Sequence, residues 1–268
     1  MPVKLLVVGG GRMGGALVTG LIDRGWAPAE DIAVVEPDGD RAAALVRANP
    51  GLVAVGAPDR DIAAQAAGAV LAVKPDVAES ACRALAAVGV QRLLSVVAGL
   101  PSARLEAALG EAAVVLRAMP NTAVVVGAGA SALSGGTRAG AADLDWAESI
   151  LAAVGSVVRL PERHLHAVTG LSGSGPAYVF MVAEAMVEAG VLCGLPRDVS
   201  RSLVNQTLLG SAKLLATGGQ TPESLRAEVT SPGGTTAAGL RALEARAVRS
   251  AFLEAVSSAA ERSRQLSH

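Results

Sequence analysis

KLLVVGGGRMGGALV, residues 4–18, decides how the chain begins. An apolar strand pattern over 4–8 runs into three consecutive glycines and then into a helical window over 13–24. Strand, glycine turn and helix in that order are the setting in which a GxGxxG spacing carries meaning. Gly9 allows the tight turn, Gly11 lets a pyrophosphate approach the backbone, and Gly14 lets helix and strand pack closely. The helix then offers its N-terminus to the phosphates. A second strand at 32–36 completes the unit within about 30 residues, the length such a dinucleotide-binding turn needs. A glycine-rich turn without a ligand is the plainer alternative.

The same alternation continues outward. Further strands are expected at 53–55, 70–73, 93–97 and 114–117, separated by helical windows at 41–48, 61–67, 77–87 and 102–109. Strand and helix in alternation predict an α/β domain with a doubly wound parallel sheet covered on both faces. A helix at 139–154 and a strand at 156–160 would finish it. Beyond Pro161 the alternation stops, and helical windows follow one another at 177–189, 198–216, 222–229, 236–245 and 249–265. Pro176, Pro196 and Pro222 fall near predicted helix starts, and Gly190 and Gly218 follow predicted ends. The expected organisation is therefore a dinucleotide-binding domain at 1–160 and an all-helical C-terminal domain at 161–268.

Composition limits the partners. The 268 residues are 51% hydrophobic but only 2% aromatic, so the core must be built from small aliphatic side chains. A formal net charge of -1 without a basic block argues against nucleic acid and against an anionic membrane. Two uncharged stretches, 118–137 and 166–183, are long enough to suggest a membrane span, but both carry Pro, Gly and polar residues and are expected not to be one. No leader or cleavage site is evident, which makes a cytoplasmic protein the default. Cys82 and Cys193 lack paired spacing and are expected as buried apolar thiols. His164 and His166 could share a strand face and bind a metal, but no third ligand stands nearby, and none is expected.

Several residues suit the chemistry of a dinucleotide. Glu36 ends the second strand, where a carboxylate accepts hydrogen bonds from the adenosine ribose and repels a 2'-phosphate. Arg41 could reach back and reverse that preference, or Glu36 could simply point to solvent. Lys74 stands at the carboxyl end of the fourth strand, placed for a point contact to ribose or phosphate or else solvated. Asn121, in MPNT at 119–122, offers an amide to a ligand or serves as turn chemistry. SGSGPAY at 172–178 is explained largely by capping and a first-turn proline, but its glycines and serines exceed what a cap needs.

The strongest signal is VTSPGGTTAAGL at 229–240. Gly233 and Gly234 immediately before a helix leave backbone N–H groups free to converge on a carboxylate, and Ser231, Thr235 and Thr236 add hydroxyls at the same place.

Taken together, the glycine motif, AVKP at 72–75, VVAG at 96–99, MPNT, SGSGPAY and VTSPGGTT resemble the pyrroline-5-carboxylate reductase family over nearly the whole length. The resemblance implies an N-terminal Rossmann domain, a helical dimerisation domain, and hydride transfer from NADPH or NADH to a cyclic imine to give L-proline. Carried over position by position, Ser231, Gly234, Thr235 and Thr236 would hold the substrate carboxylate and face its ring nitrogen, with Thr236 as the catalytic residue. Gly9, Gly11, Met13, Gly14, Lys74, Pro75, Ala98 and Asn121 would line the dinucleotide. Arg12 and Glu36, also assigned to the cofactor, depart from the small polar and neutral residues usual in the family. Glu36 leads to the expectation that NADH is used well, although the resemblance alone favours NADPH. Ala-rich helices with few aromatics are expected to pair with a second copy, and the resemblance adds rings of dimers.

Two other readings compete. A β-hydroxyacid dehydrogenase would carry a catalytic Lys on the helix after SGSGPAY, and Lys213 lies much later. A dinucleotide sensor would not need the hydroxyl-rich loop.

Overall fold

The structure is a computed structural model that describes residues 3–267. Its N-terminal half is built on one eight-stranded sheet. The strands are β1 (Leu5–Val8), β2 (Ile32–Val35), β3 (Val53–Val55), β4 (Ala69–Leu71), β5 (Arg92–Ser95), β6 (Val114–Met119), β7 (Gly129–Gly135) and β8 (Gly155–Arg159). They lie in the order β3-β2-β1-β4-β5-β6-β7-β8. The first six are parallel, and the strand order reverses direction at β1 and β4.

Helices α1 (Arg12–Asp23), α2 (Gly39–Ala48), α3 (Arg60–Gln65), α4 (Pro75–Ala87), α5 (Ser102–Leu109) and α6 (Ala141–Ala152) connect them. Alternation along β1 explains why the sheet is covered twice. Leu5 and Val7 join Leu17 and Leu21 of α1 and Ile150 and Leu151 of α6 in one core. Leu6 and Val8 face the other way, into a second core with Cys82 and Leu85 of α4 and Leu105 of α5. The buried side chains of both cores are aliphatic apart from Cys82, with Trp26 and Trp146 packed at the margin of the first.

The sheet departs from the all-parallel expectation at its far edge. β7 runs antiparallel to β6, with Met119 opposite Ala132 and Leu116 opposite Gly135. β8 then runs parallel to β7. Residues 129–135 read GASALSG, without one β-branched side chain, so local propensity gives no strand there. Pairing with a buried neighbour supplies what propensity lacks.

After β8 the chain is helical: α7 (Leu165–Val168), a π-helical turn Thr169–Gly173, α8 (Gly175–Leu192), α9 (Arg197–Thr217), α10 (Pro222–Glu228), α11 (Thr235–Ala245) and α12 (Val248–Gln265). The chain divides into two compact units. One holds the described residues up to Ser174 together with those from Ser257 on, and the other is Gly175–Val256. The end of α12 belongs to the first unit, where Ser263 Oγ lies 3.0 Å from His166 Nδ1. His164 and His166 sit on successive helical turns rather than on a strand, so they do not share a face at that spacing.

Residues 162–192 form a helical stretch long and apolar enough, by length and composition, to cross a bilayer, and its apolar window is not buried within the chain. The uncharged 166–183 stretch lies within it. Cys82 is buried, and burial pushes its thiol up to about 11. Cys193 is exposed, a correction to the expected pair of buried thiols, because it follows α8 in a unit whose side chains are mostly uncovered.

Candidate functional site

The crevice beside the point of strand reversal is where ligands bind in open sheets of this kind. Gly9, just past β1, has φ of 99°, and a Cβ there would stand 2.6 Å from the carbonyl oxygen of Ala72. Gly14, in the first turn of α1, would place a Cβ 1.9 Å from the carbonyl oxygen of Gly9. Both glycines are therefore demanded by the protein itself. Gly11 is different. Its φ is -68°, ordinary for any residue, and a Cβ would meet nothing within 4 Å. Nothing in the fold demands a glycine there, and its bare backbone leaves room for an outside group.

Gly11 caps α1 without a side-chain hydrogen bond, so the first-turn N–H groups face outward. Gly10, Gly11, Arg12, Arg41 and Leu45 line a groove of about 480 Å³ beside them. The cradle fits a dinucleotide pyrophosphate. Met13 packs against the core beneath it.

Glu36 does not point to solvent. It is 4% exposed, and its carboxylate accepts hydrogen bonds from Gly10 N, Asp38 N and Arg41 Nη2, each at 2.9 Å. Burial raises its pKa, but the bonds from Arg41, Asp38 and Gly10 outweigh that and hold it below 4.5. Arg41 also pairs with Asp38 at 2.9 Å. Glu36 is thus the tie between the glycine turn and the start of α2, and Arg41 covers its charge.

Lys74 is exposed at the N-terminus of α4, with Pro75 in the first turn. Ala98 is exposed on the loop between β5 and α5. Of the two roles the sequence left open for Asn121, the side chain fills the turn role. Its Oδ1 accepts from Ala123 N and Ala130 N, and its Nδ2 donates to the carbonyl oxygen of Ser172 at 3.1 Å. The side chain builds the turn and ties it to the carbonyl oxygen of Ser172.

In the second unit, Ser231, Gly233, Gly234, Thr235 and Thr236 all gather at the start of α11. Gly233 has φ of 71°, the left-handed turn that brings the chain into the helix. Gly234 occupies the cap position, where no side chain bonds the first-turn amides of Thr235, Thr236 and Ala237. Of the loop hydroxyls, Thr230 bonds back to the carbonyl of Arg226, while Ser231, Thr235 and Thr236 are exposed at the helix start, with the Ser231 hydroxyl close beside Gly234. Three amides and three hydroxyls at one helix start suit a carboxylate with a polar neighbour.

Comparisons with known proteins show the family. A pyrroline-5-carboxylate reductase of Synechocystis sp. is 41% identical over 99% of both chains. One from Mycobacterium tuberculosis is 40% identical over 98% of this chain and 96% of its own. The chain belongs to the pyrroline-5-carboxylate reductase family. The family pattern described as pyrroline-5-carboxylate reductase dimerisation matches residues 162–266, and the one described as NADP oxidoreductase coenzyme F420-dependent matches 4–99. Among solved structures, the Coxiella burnetii member of the family has a TM-score of 0.92 at 34% identity, covering 100% of both chains. The Plasmodium falciparum pyrroline carboxylate reductase, with NADP bound, has a TM-score of 0.86 at 30% identity, covering 99% of this chain and 98% of its own.

Two features escape a reading of the sequence: the inward turn of Glu36 and a part-buried pair, Arg117 and Glu162. Arg117 Nη1 lies 2.6 Å from Glu162 Oε1, and the two are separated by 45 residues. Arg117 falls inside a predicted strand, which is the one signal available, since a charged residue in a central parallel strand needs a partner.

Proposed function

We propose that the chain transfers a hydride from NADPH or NADH to the imine carbon of 1-pyrroline-5-carboxylate, giving L-proline in the last step of proline biosynthesis. The observation that carries the reading is the exposed cluster of amides and hydroxyls at the start of α11, in a chain that also holds an open glycine cradle. The dinucleotide, when bound, supplies the hydride. The residues proposed to hold it are Gly9, Gly11, Arg12, Met13, Gly14, Glu36, Lys74, Pro75, Ala98 and Asn121. Ser231, Gly233, Gly234 and Thr235 bind the substrate carboxylate, and the Thr236 hydroxyl hydrogen-bonds the ring nitrogen. A protonated imine is already electrophilic, so the residues have to place its carbon, hold the N–H and exclude water; no strong general acid is required.

Glu36 bears on cofactor choice through its neighbours rather than as a bare charge. Three protein donors already occupy its carboxylate, and the exposed cations lining the groove are Arg12 and Arg41. That favours acceptance of a 2'-phosphate, so NADPH should serve at least as well as NADH.

The same reading covers assembly. Leu253 is 73% exposed, and Phe180, Met181, Leu203 and Leu214 are exposed with it, more apolar surface than a solvated monomer keeps. A second copy of the chain is its proposed cover, in a homodimer or a ring of dimers. Glu184 and Glu188 within α8 would be costly in lipid, which favours a protein cover, no membrane, and a cytoplasmic site of action. The domain division proposed for these roles is 1–160 for the dinucleotide and 161–268 for substrate and dimerisation. No nucleic-acid partner is proposed.

The test is direct. Purified protein, 1-pyrroline-5-carboxylate and reduced cofactor should show loss of nicotinamide absorbance matched mole for mole by L-proline on chiral chromatography. Cofactor oxidation without proline, or none at all, would overturn the reading.

A further inference from the structure

Glu162 is shared by three segments of the first unit. Its Oε1 accepts from Ser102 N at 2.8 Å and from Arg117 Nη1 at 2.6 Å, and its Oε2 accepts from the Ser102 hydroxyl. Ser102 opens α5, whose N-cap is Pro101, a residue with no side-chain acceptor. A carboxylate 60 residues away therefore does the work of the cap. Arg117 is 8% exposed at its side chain and Glu162 is 31% exposed. The Arg117 Nε has no partner among the described residues, so Glu162 is what fixes the guanidinium.

The segments so joined carry residues assigned above to the dinucleotide. Ser102 follows directly on the loop that holds Ala98. Arg117 lies two residues before the end of β6, which runs into Asn121. Glu162 leads into α7 and the π-helical turn Thr169–Gly173, whose Ser172 carbonyl accepts from Asn121. A Cβ on Gly173 of that turn would stand 2.7 Å from Met119 Cε, so the turn is seated closely on the end of β6. Within the first unit, then, the Glu162 carboxylate ties the Ala98 loop to β6, and the Asn121–Ser172 bond ties the turn after β6 to the π-helical turn.

We propose that Glu162, held by Arg117, is a positioning residue for hydride transfer: it sets the Ala98 loop against the Asn121 turn and so fixes the seat of the nicotinamide. The proposal rests on the assignment of those two segments to the dinucleotide. Glu162 touches neither substrate nor cofactor in this role. Breaking the tie should leave the cofactor's pyrophosphate grip intact, because the glycine cradle is held separately by Glu36, and should loosen the nicotinamide end.

Glu162→Gln removes the charge that holds Arg117. The expected result is a tenfold or larger fall in kcat, less than a threefold change in KM for NADPH, and a larger kinetic isotope effect with cofactor deuterated at the transferred hydride. The double variant Glu162→Gln with Arg117→Met leaves no unpaired charge and should recover much of the melting temperature without recovering kcat. Emission from bound NADPH, which needs no substrate, should be enhanced in the wild type and weakened in both variants. Wild-type kcat, isotope effect and emission in Glu162→Gln would overturn the proposal, as would recovery of kcat in step with stability in the double variant. Should the wild type fail to reduce 1-pyrroline-5-carboxylate, the functional reading falls, while the emission difference still decides the clamp. If Glu162→Gln does not fold, Ser102→Ala, which keeps the ion pair and removes one bond, reads the same three quantities.

Discussion

Glu36→Gln is the sharpest test of how the glycine turn is held. The wild-type carboxylate accepts from Asp38 N and Arg41 at Oε1 and from Gly10 N at Oε2. A glutamine has one oxygen. Placed at Oε1 it keeps two of these bonds and turns its NH₂ against the Gly10 N–H, donor against donor. A buried N–H left without an acceptor costs about 1–3 kcal/mol. The lost ion pair with Arg41 adds little, because the Arg41 side chain is more than half exposed and the pair is screened. A loss near 2 kcal/mol should lower the melting temperature by about 4–8 °C for a domain of this size, with weaker NADPH binding as the Gly10 amide swings free. The pH dependence gives a second signature. The folded-state pKa of Glu36 is depressed below 4.5, so its stabilisation is present in full above that value and drains away as the pH falls through the lower folded value. The gap between wild type and variant should therefore close on acidification, since a protonated carboxyl resembles the amide. Scanning calorimetry across that range is the assay. Equal melting temperatures near neutrality, or a gap that persists undiminished in acid, would refute the role assigned to Glu36.

Thr236→Val keeps the side-chain shape and removes the hydroxyl, and should lower turnover about ten- to a hundredfold with little change in cofactor affinity; a wild-type rate would reduce the loop to a carboxylate clamp. Ser231→Ala should mainly raise KM for the substrate, read in the same steady-state series. Arg41→Ala should cost NADPH more than NADH, about tenfold or more in kcat/KM for one charge-assisted contact, and an unchanged ratio of the two would count against a 2'-phosphate site there. Light scattering should find dimers or larger at micromolar protein, and a well-folded active monomer would contradict the proposed cover for α8 and α9.

The sequence is most informative where local pattern and global structure coincide. Residues 4–18 specify β1, the turn and α1 because glycine spacing, apolar run and helix start all lie within one short window. The loop at 229–236 is legible for the same reason. β7 was not, since Gly129–Gly135 is made of small residues and becomes a strand only by pairing with β6. The turn at Thr169–Gly173 hides behind two glycines that argue against any helix. Glu36 illustrates a subtler limit: its place at a strand end can be read, but its inward turn requires that Gly10 bring a bare N–H to 2.9 Å of the carboxylate. The Arg117–Glu162 pair lies beyond any periodicity, because the residues meet only after the sheet and its last helix have formed.

The return of α12 to the first unit has a bearing on how the protein is made. A chain that emerges from the ribosome N-terminus first has its eight strands available by Arg159, yet Ser263, which meets His166, comes 97 residues after it. Leu266 and Ser267 likewise arrive last beside Gly99. The helical unit Gly175–Val256 must therefore be threaded out as a long excursion before the first unit can close. During that interval the leucines of α9 stand uncovered while synthesis is still under way. A nascent chain halted near Val256 should consequently hold a sheet that lacks its final buttress, and capture by chaperones should be greatest at that length.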